Sequence, residues 1–148
     1  MRKFRFRLQG LEDIKGMEFD ALRQAFAAAR EELKRAEGDL LNARAAQDAT
    51  YRELANERTA QADPLILLSL ESYGVLLRDQ VRALTQKVAQ QRRELQEAQD
   101  RLAAKHKEKK ALEKFHERKL AEYSQYVERE LQNELDETAQ NMHQAGGA

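Results

Sequence analysis

The chain has 148 residues, with 26 basic and 26 acidic side chains, one proline, six glycines and neither cysteine nor tryptophan. The absence of cysteine argues against a disulfide-stabilised fold, and the balanced charge argues against a general polyanion-binding protein. No apolar run reaches the roughly 18 residues of a membrane span, and the N-terminus lacks the apolar stretch of a secretory signal. Because Ala, Glu, Lys, Leu and Arg dominate, the composition predicts an intracellular, all-α protein whose long helices form one structural unit.

Residues 1–9 are predicted to form an extended arm. Cationic and apolar residues alternate from Met1 to Leu8, which places Phe4 and Phe6 on one side of an extended chain. Two interpretations remain open: a frayed basic terminus, or an arm docked elsewhere on the protein, since exposed phenylalanines are unfavourable. We expect no nucleic-acid binding and no direct membrane insertion, because no base-reading or lipid-inserting element follows the arm.

The only proline, Pro64, marks the boundary between two segments of helical composition. Asp63 can cap the N–H groups at the start of a helix, and proline fits the first helical position because its missing N–H is not needed there. We predict a first helix over about 10–58, a hinge at 59–63, a second helix over about 64–138 and a flexible tail at 139–148. If the chain reverses at the hinge, the helices form an elongated antiparallel two-helix coiled coil in which the second helix is longer.

A register centred on Ala62 supports this hairpin. It pairs large with small residues, for example Ala36 with Val88 and Ala43 with Val81, so that the helices can approach closely. All of its seam positions are uncharged, although 35% of the chain is charged. On the first helix they are Leu22, Phe26, Ala29, Leu33, Ala36, Leu40, Ala43, Gln47, Tyr51 and Leu54. Their partners are Leu102, Ala98, Leu95, Gln91, Val88, Leu84, Val81, Leu77, Tyr73 and Leu70.

The hinge end carries more apolar surface than one seam can bury. Tyr51 and Tyr73 face each other in the register, and Gly74 thins the helix beside them. The tyrosines either complete the seam or combine with the apolar run Leu65 to Leu68 as a contact site. Both interpretations are open from the residues alone.

Beyond Lys119 the second helix is predicted to project past the first. An apolar stripe continues there at spacings of three and four, formed by Leu120, Tyr123, Val127, Leu131 and Leu135. The stripe is either a partner site or is covered by the N-terminal arm, which is long enough to reach along much of it.

No motif indicates catalysis, a cofactor or a metal. Lys105 to Lys119 holds seven basic residues, which form either a solvated helix face or a docking patch for an acidic partner. His106, His116 and His143 lack the spacing that places two metal ligands on one helix face. Glycine-rich phosphate loops, nucleophile elbows and paired catalytic carboxylates are absent, so we expect a non-enzyme with no catalytic, cofactor-binding or metal-ligating residues.

Four segments in order along the chain resemble the FliJ family of flagellar type III export proteins. They are KFRFRLQGLEDIK, LESYGVLLRDQV after the Asp-Pro hinge, KEKKALEKFHERKLAEY and ELDETAQ. The resemblance implies a cytoplasmic coiled-coil protein, peripheral at the membrane export apparatus, that inserts into the hexameric export ATPase as a stalk. It also implies a link to the cytoplasmic domain of the membrane export gate and an escort role for export chaperones. The alternative is a generic coiled-coil tether or adaptor with no ATPase role.

Contact residues are expected at both ends of the predicted hairpin. At the hinge end, Tyr51, Tyr73 and Leu77 match positions through which members of the family contact the export gate. At the open end, contact with the ATPase ring is expected from residues of the arm and the apolar stripe, namely Phe4, Phe6, Arg7, Leu120, Tyr123 and Val127.

Overall fold

The computed structural model describes residues 3–61 and 63–147, and every regular element in this part of the chain is helical. Helix α1 spans Gln9–Thr59 with 51 residues, and helix α2 spans Pro64–Gly146 with 83 residues. This confirms an all-α fold with a longer second helix. Helix α2 continues past the predicted end near residue 138, because no proline or glycine interrupts the sequence before Gly146.

The described residues group into two compact units. The central unit is Ala21–Leu102, and the terminal unit combines Met1–Asp20 with Ala103–Ala148. Over the described ranges, neither helix has an apolar stretch long enough to cross a membrane.

The hinge of the central unit is built as the sequence predicts. Pro64 opens α2, and the carboxylate Oδ1 of Asp63 accepts a hydrogen bond from the N–H of Leu65 at 2.9 Å, which satisfies one of the free donors at the helix start. Shortly after α1, Gln61 adopts a left-handed conformation with φ 54°, as residues that terminate helices often do. The aspartate cap and the proline therefore fix where α2 starts.

Segments of α1 and α2 pack antiparallel within the central unit. Ala36, Leu40 and Val88 form its buried cluster, against which the partly buried side chains of Leu33, Val81 and Leu84 pack. All six are predicted seam positions. Two ion pairs fit the antiparallel direction: Arg58 Nη2 lies 2.8 Å from Glu71 Oε1 near the hinge, and Arg92 Nη2 lies 3.2 Å from Glu37 Oε1 farther along the helices.

Towards the hinge, the seam differs from the predicted one by one residue on each helix. Thr50 and Gly74 are buried there, whereas Tyr51 and Tyr73 are each 48% exposed. These buried positions continue a regular alternation of three- and four-residue steps, and their small size lets the helices approach closely. The Thr50 hydroxyl donates to the Ala46 carbonyl at 2.8 Å, so its burial leaves no unsatisfied group.

In the terminal unit, the N-terminal arm precedes α1 through a turn. The N–H of Gln9 donates to the Phe6 carbonyl at 3.1 Å, and the N–H of Glu12 donates to the Leu8 carbonyl at 2.9 Å. These bonds join the arm to the first turn of α1. The arm and the first turns of α1 pack against α2 through aromatic rings and ion pairs.

Candidate interaction surfaces

The N-terminal arm docks on α2 through its two phenylalanines. The Phe6 ring stacks on the His116 ring with centroids 4.3 Å apart and an interplanar angle of 5°, and it also contacts Phe115 at 5.9 Å. The Phe4 ring lies 5.4 Å from the Tyr123 ring and 5.8 Å from that of His116. Phe6 is only 9% exposed. Of the two interpretations of the arm, the docked one is therefore correct.

His116 is the central residue of this contact, a role that was not predicted from the sequence. Its Nδ1 lies 2.8 Å from Glu12 Oε2, which links the ring to the first turns of α1. The signal that identifies it is spacing, since Lys109, Leu112 and His116 continue the three-and-four alternation of the α2 seam. The histidine thus joins the arm, α1 and α2.

An open groove of about 650 Å³ lies between the arm and α2. Its cationic lining residues are Lys3, Arg5, Arg7 and Lys119, and its apolar and aromatic ones are Phe4, Phe6, Leu8, Phe115, Tyr123 and Tyr126. The Lys119 ammonium lies 5.5 Å from the centroid of the Phe115 ring and 3.2 Å from Glu122 Oε2. An aromatic floor with a cationic rim suits an acidic segment that carries apolar side chains.

The residues expected at the ATPase ring occupy three kinds of position in the terminal unit. Arg7 is exposed and lines the groove together with Phe4 and Tyr123. Leu120 is exposed in a neighbouring shallow groove beside His116. Phe6 is buried against Phe115 and His116 of α2, and Val127 is half-buried. Of the apolar stripe, Tyr123 contacts the arm through Phe4, whereas Leu120, Leu131 and Leu135 are exposed.

Within the terminal unit, a network of four charged side chains connects α1 to α2. Lys105 Nζ lies 2.6 Å from Glu18 Oε2 and 3.2 Å from Glu108 Oε2, while Lys15 Nζ lies 3.0 Å from Glu108 Oε2. The hydrogen bond with Lys105 lowers the pKa of the Glu18 carboxyl, and the one with Lys15 lowers the pKa of the Glu108 carboxyl. The hydrogen bond with Glu18 raises the pKa of Lys105 well above its ordinary value. One cation of the basic run is thus engaged within the protein.

At the hinge end, Tyr51 and Tyr73 lie in different grooves and do not face each other as predicted. Tyr51 lines a groove with Leu54, Leu70 and Val75, among others, whereas Tyr73 lines one with Ala43, Ala46 and Leu77, among others. The seam position on each helix differs by one residue from the predicted one, because Thr50 and Gly74 take the places predicted for Tyr51 and Tyr73. Leu77 is 4% exposed and belongs to the seam.

Apolar residues on the far side of α2 from the seam are exposed near the hinge. They include Leu65, Leu68, Val75 and Leu76. This agrees with the expectation that the apolar run after Pro64 exceeds what one partner helix can bury. Within the described ranges, no cluster of three or more His, Cys, Asp or Glu side chains could hold a metal ion.

Helices that pack antiparallel through a seam of three- and four-residue steps, with exposed apolar and cationic surfaces, define a coiled-coil interaction protein. The chain belongs to the FliJ family, since the family model described as Flagellar FliJ protein matches residues 4–148, essentially the whole chain. It is therefore a component of the flagellar export apparatus, in a family of non-catalytic proteins. No curated protein and no solved structure matches the chain.

Proposed function

We propose that this protein is a non-enzymatic stalk of the flagellar export apparatus. In this proposal it inserts into the hexameric export ATPase, links that ring to the cytoplasmic domain of the membrane export gate, and escorts export chaperones. It works in the cytoplasm, peripheral at the membrane export apparatus. The observation that carries the proposal is the family match over residues 4–148, which spans both candidate surfaces.

The groove in the terminal unit supports the ring contact. It exposes Arg7 beside aromatic side chains, and Leu120 is exposed nearby. Amphipathic aromatic residues and arginine are the types that most often dominate protein interfaces. Phe4 and Tyr123 would then both hold the arm on α2 and form part of the contact surface.

The hinge end supports the gate contact. Tyr51 and Tyr73 are half exposed, and the apolar residues Leu65 and Leu68 are exposed on the same unit. Leu77 is buried in the groove that Tyr73 lines, so its role in this proposal is to hold that tyrosine in position.

The proposal is tested by adding the purified protein to the purified flagellar export ATPase and measuring ring assembly and the rate of ATP hydrolysis. A stalk that binds the assembled ring better than free subunits shifts the equilibrium towards the ring and raises the rate. A matched negative control is Leu33→Asp, which introduces a charge at a seam position and disrupts the helix pair. If the wild-type protein changes neither assembly nor hydrolysis, the tether alternative is favoured.

A further inference from the structure

The last turns of α2 are a helix without a partner. From Glu128 to Gly147 every residue is exposed, including Leu131 and Leu135, whose side chains continue the apolar stripe. A helical segment that buries no side chains is only marginally stable in water. A surface that covers this segment would stabilise it.

The charges of this segment complement those of the arm groove in the same unit. Three groove cations, Lys3, Arg5 and Arg7, have no acidic partner among the described residues. Three carboxylates near the end of α2, Glu130, Glu134 and Glu137, likewise have no cationic partner there. Within its described part, the terminal unit therefore carries three arm cations that lack an acidic partner and three helix carboxylates that lack a cationic one.

Both features lie on the same face of α2. Steps of three and four residues connect Lys119, Tyr123, Tyr126, Glu130, Glu134 and Glu137. The face is cationic and aromatic at its beginning and acidic at its end. When it runs antiparallel to an identical face, the acidic end of each copy meets the cationic end of the other, as a two-fold interface requires.

The helix cannot complete this contact within one molecule. Helix α2 is continuous from Pro64 to Gly146, so its final turns cannot fold back onto the groove at Lys119. We infer that two copies of this chain associate through their terminal units, with Glu130, Glu134 and Glu137 of each copy lying against the arm groove of the other.

The ionic part of this interface makes its strength depend on salt. Exposed charge pairs weaken as the ionic strength rises, whereas aromatic contacts such as those of Tyr126, which lies on the same face, do not. Association should therefore be strongest at low salt. It should also be measurable on this protein alone, so its failure is separate from any failure of the ATPase proposal.

Sedimentation equilibrium of the full chain, at several protein concentrations and two salt concentrations, tests the inference. We compare the wild type with an acid-reversed variant, Glu130→Lys, Glu134→Lys and Glu137→Lys, and a cation-reversed variant, Lys3→Glu, Arg5→Glu and Arg7→Glu. Each reversal should raise the dissociation constant of the dimer about tenfold or more. A control matched to the acid-reversed variant makes the same three Glu-to-Lys changes at exposed positions of the central unit, with Glu31→Lys, Glu53→Lys and Glu97→Lys. This control should dimerise as the wild type does.

Mixing the two reversed variants provides the decisive measurement. Their charges are again complementary, so the mixture should form heterodimers with near wild-type affinity, a result that misfolded variants could not give. A wild type that stays monomeric at every concentration and at low salt overturns the inference. Failure of the heterodimers to form would also overturn it. If the wild type is monomeric and the acid-reversed variant binds the export ATPase more weakly than the wild type does, the ring covers this face and the inference is wrong.

Discussion

Two adjacent leucines in α1 show how sharply burial changes from one residue to the next. Leu40 packs in the cluster with Ala36 and Val88 and is 8% exposed, whereas Leu41 is 70% exposed. A pair of helices buries only one stripe of each, and no large side chain in the described residues is fully buried. Each seam residue therefore carries a large share of a small total stability.

This pair allows a matched test of the seam. Leu40→Ala removes buried methyl groups and leaves space between the helices, so it should lower the free energy of unfolding by about 2–3 kcal/mol. Leu41→Ala makes the same chemical change on an exposed face and should alter it by less than about 0.5 kcal/mol. Urea unfolding followed by circular dichroism measures both. Equal losses from the two substitutions would show that the seam is wrongly placed.

The tyrosines near the hinge show where sequence reasoning failed at this scale. Uncharged character alone allows Tyr51 and Tyr73 as seam positions as readily as Thr50 and Gly74. The regular alternation of steps separates them, because Gln47 to Tyr51 repeats a four-residue step whereas Gln47 to Thr50 does not. The heptad rule, applied strictly, would have predicted two exposed tyrosines from the sequence.

At the scale of the elements, the helices and the hinge were predictable, and the position of the arm was not. Asp63 and Pro64 mark the start of α2 through local chemistry that acts over a few residues. The alternation in the arm shows which residues share a side, but it contains no information about the surface that receives them. Docking depends on His116 and Tyr123, which are more than a hundred residues away in the sequence.

The ionic network between α1 and α2 predicts a pH dependence for the terminal unit. The folded state lowers the pKa of Glu18 and Glu108 below the ordinary 4.5 and raises that of Lys105 above the ordinary 10.5. The carboxylates therefore stabilise the fold above about pH 4.5, and this contribution is lost as the pH falls through their lowered values. The contribution of the lysine is present below about pH 10.5 and is lost as the pH rises through its raised value.

Lys105→Met tests this dependence. The substitution should lower the melting temperature near neutral pH by a small amount, because the side chains are partly exposed. The difference from the wild type should shrink below pH 4.5 as the carboxylates become protonated. Lys107→Met, which changes an exposed lysine of the same basic run, serves as the control and should have no such profile. A difference for Lys105→Met that stays constant down to strongly acidic pH would contradict the network.

At the scale of the whole molecule, the two candidate surfaces belong to different units. The groove with Arg7 lies in the terminal unit, and Tyr51 and Tyr73 lie in the central unit. The sequence predicted the family from four ordered segments, and the family match confirms that prediction. It could not predict how each surface is shaped, because the grooves depend on the register of the helices and on the docked arm.

In the proposed function, the terminal unit contacts the export ATPase and the hinge end contacts the export gate. The most direct test measures the binding of two double variants to both purified partners. The substitutions are all at exposed side chains, which keeps the helix pair intact. Tyr51→Ala with Tyr73→Ala should weaken binding to the cytoplasmic domain of the gate about tenfold and leave ATPase binding unchanged. Arg7→Ala with Leu120→Ala should do the reverse. If either variant keeps wild-type helicity and loses binding to both partners equally, the assignment of one partner to each surface is wrong.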